Sequence, residues 1–251
     1  MTEQDRDYIL DAINYMFPEV KLTKEDVESS WAGVRPLISQ EGKGASEISR
    51  KDETWVSDSG LITIAGGKLT GYRKMAETVL NLVAKQFRDE GYKHFSSCYT
   101  EKMPISGGRV GGSSKFNSYI IKTKEKAIGT GLTDEEAKEI ISKYGSNAPI
   151  LFEIADKNQD KAKEIGLPLP LLTKLIYAIE HEMTYTPVDF FNRRTSMILF
   201  DIAHVHEYKE QVISYMKEVL HWTEQQTETY TKELEDALHD AAYPQHGPVM
   251  N

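Results

Sequence analysis

Leu61-Ile62-Thr63-Ile64-Ala65-Gly66-Gly67-Lys68-Leu69-Thr70-Gly71-Tyr72 is the stretch on which the reading of this chain turns. A short β-favouring run meets two glycines and a lysine, and Met75, Ala76, Val79, Leu80 and Val83 then recur at helical spacing as far as Phe87. The pattern predicts strand, glycine loop, helix. The first turn of such a helix leaves unpaired N–H groups and a partial positive charge pointing outward. Glycines let a ligand approach the backbone, Lys68 adds a full charge and Thr70 a hydroxyl. That combination suits a phosphate or the electron-rich carbonyl edge of a reduced flavin. The competing reading is a tight turn that needs glycine for its dihedral angles, with Lys68 merely solvated. The spacing is neither that of a Walker loop nor a G-x-G-x-x-G fingerprint.

Upstream, Ser57-Asp58-Ser59-Gly60 is predicted to be a hairpin loop leading into Leu61, with Glu53 to Val56 as the partner strand. Ser30 to Leu37 and Ala45 to Arg50 read as further strands of an antiparallel patch. Arg35, in Trp31-Ala32-Gly33-Val34-Arg35-Pro36, and Arg50, in Glu47-Ile48-Ser49-Arg50, would then stand on adjacent strands as a forked clamp for phosphate or carboxylate. Ordinary pairing with Glu47, Asp52 or Glu53 is the plainer alternative. At the amino end, Thr2 with Asp5 forms a capping box before an amphipathic helix that stops at Pro18.

Downstream, residues 88 to 113 read as a connector with a domain boundary, dividing the chain into 1–105 and 106–251. Gly107-Gly108-Arg109-Val110-Gly111-Gly112 lacks the strand and helix of a phosphate loop and is read as flexible. From Ser114 nearly everything reads helical, with capping boxes at Thr133 to Glu136 and Thr223 to Gln226 and a loosely held tail from Tyr243. The fold class is therefore α+β: a small mixed or antiparallel sheet segment followed by an all-α C-terminal domain.

The composition narrows the function. With 251 residues, 30 Lys plus Arg against 39 Asp plus Glu, and a net charge of -9, the chain has no broad electrostatic footprint for nucleic acid. Cys98 is the single cysteine, which excludes an internal disulfide and any site needing two thiolates from this chain, and points to a reducing cytoplasmic setting. No apolar run reaches the roughly 18 residues of a spanning helix, and the charged start resembles no signal peptide. The expected protein is soluble or peripheral on the inner face of a membrane. His204-x-His206 and Glu180-His181-Glu182 lack the spacing of metal ligands, so no metal is expected. Arg193-Arg194 reads as helix stitching, and Cys98 has only His94 nearby to activate it.

The order of motifs is more specific than any one of them. Ser30-Trp31-Ala32-Gly33-Val34-Arg35-Pro36-Leu37, Ser49-Arg50-Lys51-Asp52 and Ile64-Ala65-Gly66-Gly67-Lys68-Leu69-Thr70-Gly71-Tyr72-Arg73-Lys74-Met75-Ala76-Glu77 together resemble the C-terminal half of FAD-dependent aerobic glycerol-3-phosphate dehydrogenases of the Gram-positive type. Tyr144-Gly145-Ser146-Asn147, Tyr177 to Met183 and Asp189 to Thr195 resemble that family's helical domain. The resemblance implies oxidation of sn-glycerol 3-phosphate to dihydroxyacetone phosphate, with FAD as cofactor and quinone as electron acceptor. It implies substrate-phosphate binding by Arg35 and Arg50, a catalytic Lys68, and cofactor contacts from Gly66, Gly67, Lys68, Leu69 and Thr70. Residues 1–105 would be the C-terminal part of the FAD/substrate-binding domain and 106–251 a helical cap.

Two departures qualify this. Gly71 follows Thr70 where the family has a second threonine, and these 251 residues hold no dinucleotide fingerprint. The chain is accordingly expected to be a piece whose partner is the N-terminal FAD-binding half, inactive alone, and open to homodimerisation through exposed apolar surface. An oxygen-using alpha-glycerophosphate oxidase and a non-catalytic helical interaction module are the alternatives.

Overall fold

The computed structural model describes residues 1–33, 52–66, 68–92 and 95–243. By contacts the chain forms two compact units, one of Met1–Ala32 with Ser106–Asn251 and one of Gly33–Ile105. The amino-terminal segment thus groups with the helical unit, where the sequence division had placed it with the strands. Its ties are non-local: Ser30 N donates to the Ala241 carbonyl at 2.8 Å and Ser29 Oγ to the Leu199 carbonyl at 2.5 Å. No local pattern in the first 32 residues announces such partners.

In the Gly33–Ile105 unit, β1 (Glu53–Val56) pairs antiparallel with β2 (Ile62–Ala65), with Val56 opposite Ile62 and Glu53 opposite Ala65. The predicted hairpin loop is present: Ser57 N donates to the Leu61 carbonyl, and Gly60 closes the turn with φ 84°, a left-handed angle that glycine takes without steric cost. A 3₁₀ turn at Leu69–Gly71 then opens the helix α2 (Tyr72–Asp89). Of the other two predicted strands, Ser30 to Gly33 is not extended into a ladder, and 34–51 lies outside the described residues.

The larger unit begins with α1 (Glu3–Met16), started by the predicted Thr2–Asp5 box. It continues with α3 (Phe116–Lys124), α4 (Asp134–Tyr144), α5 (Ala148–Lys157), α6 (Gln159–Ile165) and α7 (Leu169–Glu182). A π-helical turn at Asp189–Arg194 leads to α8 (Met197–Phe200), α9 (Ile202–Leu220) and α10 (Glu224–Ala242). The boxes at Thr133–Glu136 and Thr223–Gln226 cap α4 and α10 as their spacing predicts, each satisfying two otherwise unpaired backbone N–H groups. The core gathers Ile140 and Ile141 of α4, Leu151 of α5, Leu172 and Leu175 of α7, Val205 and Met216 of α9 and Leu234 of α10. The π-turn widens the helix enough for the consecutive Phe190 and Phe191 both to be fully buried. Among the described residues no helix is long and apolar enough to cross a membrane.

Candidate functional site

The site grows from the junction of β2 and α2. Strand pairing ends at Ala65, Lys68 takes an extended conformation (φ -108°, ψ 109°), and the 3₁₀ turn hands the chain to α2. Neither the turn nor the helix start has a side-chain cap. The 3₁₀ turn satisfies the Gly71 and Tyr72 amides from the Lys68 and Leu69 carbonyls, so the N–H groups left without a partner among the described residues are those of Leu69 and Thr70, at the positive end of the helix dipole. Lys68, Leu69 and Thr70 are all exposed, Leu69 at 89% of its surface, which is unusual for a leucine in a tight turn.

The cations here are not equivalent. Arg73 is spent inside the unit: its guanidinium donates to the Met103 carbonyl at 2.7 Å, to the Thr100 carbonyl and, from Nε, to the Tyr72 hydroxyl at 3.0 Å. Lys74 is paired with Glu77 at 2.8 Å, and that hydrogen bond holds its ammonium above the ordinary range. Among the described residues neither Lys68 nor Arg73 has a carboxylate within ion-pair distance, but Arg73 is already committed to two carbonyls and a hydroxyl, whereas Lys68 has no side-chain hydrogen bond there. Thus the loop presents one available charge, one hydroxyl and an open helix start.

Sequence reasoning missed Asp52, which it treated only as a partner for Arg50. Its carboxylate lies so close to Gly66 that a Cβ there would sit 1.9 Å from Oδ1, and a Cβ on Gly71 would sit 3.6 Å from Oδ2. Gly66 has no left-handed φ, and what it accommodates is the close approach of the Asp52 carboxylate, which a Cβ there would displace. The signal was the acid immediately before β1, in Asp52-Glu53, and it is too weak to read without the fold. Arg35, Arg50 and Gly67 lie outside the described residues.

Other sequence candidates find structural roles. The 107–112 glycine loop is docked rather than free. Ser146 N donates to the Gly107 carbonyl at 2.9 Å, and Arg109 N to Ser146 Oγ at 3.3 Å. Gly145, with φ 53°, has the Gly107 carbonyl oxygen 2.1 Å from where its Cβ would stand. Two backbones thus touch directly. Asn147 fixes the arrangement by donating to Ser106 Oγ at 2.8 Å and to the Tyr177 hydroxyl at 3.0 Å. Tyr177 in turn meets Tyr144 edge-on at 5.2 Å and His181 at 4.8 Å. Burial, followed by the Glu182 charge, pushes the Tyr144 phenol well above its usual range, so it stays neutral.

Arg193 and Arg194 stitch as expected, to Asp189 and Glu182. His204 pairs with Asp201, whose hydrogen bond raises the imidazole pKa. No cluster of three or more metal-ligating side chains occurs among the described residues. Cys98 is exposed, 3.1 Å from Thr100 Oγ1, and His94 lies outside the described residues.

Comparison with known proteins places this geometry. Residues 98–227 match the family model described as the C-terminal domain of alpha-glycerophosphate oxidase. The aerobic glycerol-3-phosphate dehydrogenase of Bacillus subtilis is 51% identical over 244 residues, covering 97% of this chain and 44% of the relative. That of Staphylococcus aureus (strain USA300) is 47% identical over 249 residues, again 44% of its length. The X-ray structure of the glycerol-3-phosphate dehydrogenase from Bacillus halodurans complexed with FAD superposes with a TM-score of 0.87 at 42% identity, covering 99% of this chain and 47% of that one. The chain thus spans less than half the length of the relatives it matches and corresponds to their C-terminal portion. With more than half of its residues matched by that model, the chain belongs to the family of the C-terminal domain of alpha-glycerophosphate oxidase.

Proposed function

We propose that this chain forms the C-terminal part of an FAD-dependent glycerol-3-phosphate dehydrogenase, oxidising sn-glycerol 3-phosphate to dihydroxyacetone phosphate with electrons passed on to quinone. The observation that carries it is the uncapped start of α2 with Lys68, Leu69 and Thr70 exposed together. These residues fit a flavin: an open row of N–H groups suits its carbonyl edge, a bare leucine suits its ring face, and an available ammonium suits its charge on reduction. FAD would supply the two-electron acceptor for oxidation of the substrate's secondary alcohol. Lys68 and the helix start then lower the cost of the negative charge that develops beside them, while Leu69 excludes water. Asp52 holds the loop in shape by filling the space beside Gly66. Arg35 and Arg50 grip the substrate phosphate, each charged hydrogen bond being worth about 1.5 to 3 kcal/mol. Residues 1–105 belong with the cofactor and substrate, and 106–251 form the cap. The working protein is cytoplasmic and peripheral on the membrane.

In this reading the 251 residues depend on an N-terminal FAD-binding half like that of the longer relatives, and they do not turn over alone. The test is absorbance of the purified chain after incubation with FAD and removal of free cofactor, followed by reconstitution with such a half and dye reduction by sn-glycerol 3-phosphate. No retained flavin alone, with activity on reconstitution that Lys68→Ala abolishes, is the expected result. Reconstituted protein indifferent to both Lys68→Ala and Arg35→Ala would sink the proposal in favour of an interaction module. The description of the matched family model favours a second acceptor, molecular oxygen; peroxide release in place of quinone reduction would decide for it.

A further inference from the structure

The helical unit contains a cleft of about 300 Å³ that the proposed reaction does not use, bordered by α4, the start of α7, Thr195–Ser196, α8 and the first turns of α9. Its charges can be paired off one by one. Lys174 holds Glu139, His204 holds Asp201, and Arg194, close enough to act on the cleft, holds Glu182. Lys143 remains. Among the described residues it has no carboxylate within ion-pair distance, and its single hydrogen bond is a long one, 3.4 Å to the Thr195 carbonyl. Desolvation against the cleft wall, followed by the Lys174 charge, holds its pKa below the ordinary lysine range, although the residue as a whole is exposed.

Lys143 is the one lysine lining the cleft without a carboxylate partner among the described residues, and such an ammonium gains from an incoming anion. Ser196 supplies a hydroxyl without a hydrogen-bond partner among the described residues, and Lys174 and His204 supply further N–H donors at the rim. The remaining walls are apolar: Pro170, Met197 and Phe200, the last 71% exposed. An oxyanion attached to a small apolar body meets both halves of this lining, and the volume is at the low end of those that hold small ligands. Carboxylates fit the charge less well than phosphate, which offers enough oxygens for two ammonium groups and a hydroxyl at once.

We propose that the cleft between α4, α7 and α9 binds a small, soluble phosphate monoester through Lys143, Lys174 and Ser196. The proposal draws on none of Arg35, Arg50 and Lys68 and stands whether or not that reading holds.

The test uses the 251-residue chain and phenyl phosphate as the probe, followed by amide chemical shifts and by calorimetry. The expected result is saturable shifts around Lys143, Ser196 and His204, with affinity roughly tenfold weaker in Lys143→Met and largely restored in Lys143→Arg. Arg35→Ala leaves this binding unchanged. Circular dichroism of each variant separates loss of binding from loss of fold. Shifts absent from these residues, or equal affinity in Lys143→Met, overturn the proposal. So does binding confined to phosphatidic-acid vesicles with none to phenyl phosphate, which would make the lysines a lipid contact.

Discussion

The two units solve the problem of burying apolar surface very differently. In the helical unit α4, α5, α7, α9 and α10 sink whole side chains into one core, with Ile140, Leu151, Leu172 and Val212 fully inaccessible. Among the described residues of Gly33–Ile105 not one falls in the buried class, although α2 is amphipathic and carries Met75, Val79 and Val83 on one stripe. Leu61, Leu69, Leu80 and Tyr99 are more than half exposed. The helical unit thus has the means to fold by itself, whereas the strand–turn–helix unit has displayed its apolar side chains together with its chemistry. In the unit Gly33–Ile105 the exposed apolar side chains and Lys68 occur together, on a chain that spans less than half the length of its relatives.

The largest effect that would break this contrast lies in the core. Phe191→Ala removes a fully buried ring and should cost about 3 to 5 kcal/mol in chemical unfolding followed by helicity. Val83→Ala on α2 should cost less, about 1 kcal/mol, in the same assay, since its side chain is smaller and not fully buried. Comparable losses would mean that the second unit has a core of its own.

Next comes the docked glycine loop. Gly145→Ala sets a Cβ against the Gly107 carbonyl at a residue with φ 53°, so the loop must lift and the backbone must strain. The expected cost is on the order of 2 kcal/mol, with hydrogen exchange at Ser146 accelerated beyond the global change. Normal protection of that amide in Gly145→Ala would show that the contact bears no weight.

A pH test sharpens the same comparison. Burial pushes the Asp189 carboxyl up, yet hydrogen bonds from the Thr186 and Tyr185 amides, the Thr186 hydroxyl and Arg193 outweigh it and hold the carboxyl below its usual range. A depressed folded-state pKa contributes stability that is present above the unfolded value and lost as pH falls through the folded one. Stability of the helical unit should therefore fall as pH drops below about 4. In Asp189→Asn that part of the acid slope should be gone, as read from thermal melts at stepped pH. An unchanged slope would assign it to other carboxylates.

What could be read from sequence follows the range of the forces. The capping boxes at Thr2, Thr133 and Thr223, the Ser57–Gly60 hairpin and the amphipathic α2 are set by residues a few positions apart, and all appear where their spacing put them. The docking of Gly107 on Gly145, the pressure of Asp52 on Gly66 and the tie of Ser30 to Ala241 join distant positions. No local periodicity encodes them. At the candidate site, the position of Lys68 just before a helix was legible from the local pattern, and the structure has it exposed there. That Arg73 would be consumed by the Met103 carbonyl was not legible, because it depends on where the chain returns, whereas the Lys74–Glu77 pair, three residues apart on α2, is of the local kind.

The smallest expected change in stability belongs to Lys68 itself. Its side chain touches no acid among the described residues and its surface is open, so Lys68→Ala should shift the unfolding free energy by no more than about 0.5 kcal/mol. Thr223→Ala, which strips a capping box from α10, makes a fair yardstick at about 1 kcal/mol. If Lys68→Ala instead exceeds Thr223→Ala in an unfolding titration, the lysine is a structural prop and its availability to a ligand is lost as an argument. If it stays near zero while abolishing dye reduction on reconstitution, fold and function have been divided between the two units along the line their burial draws.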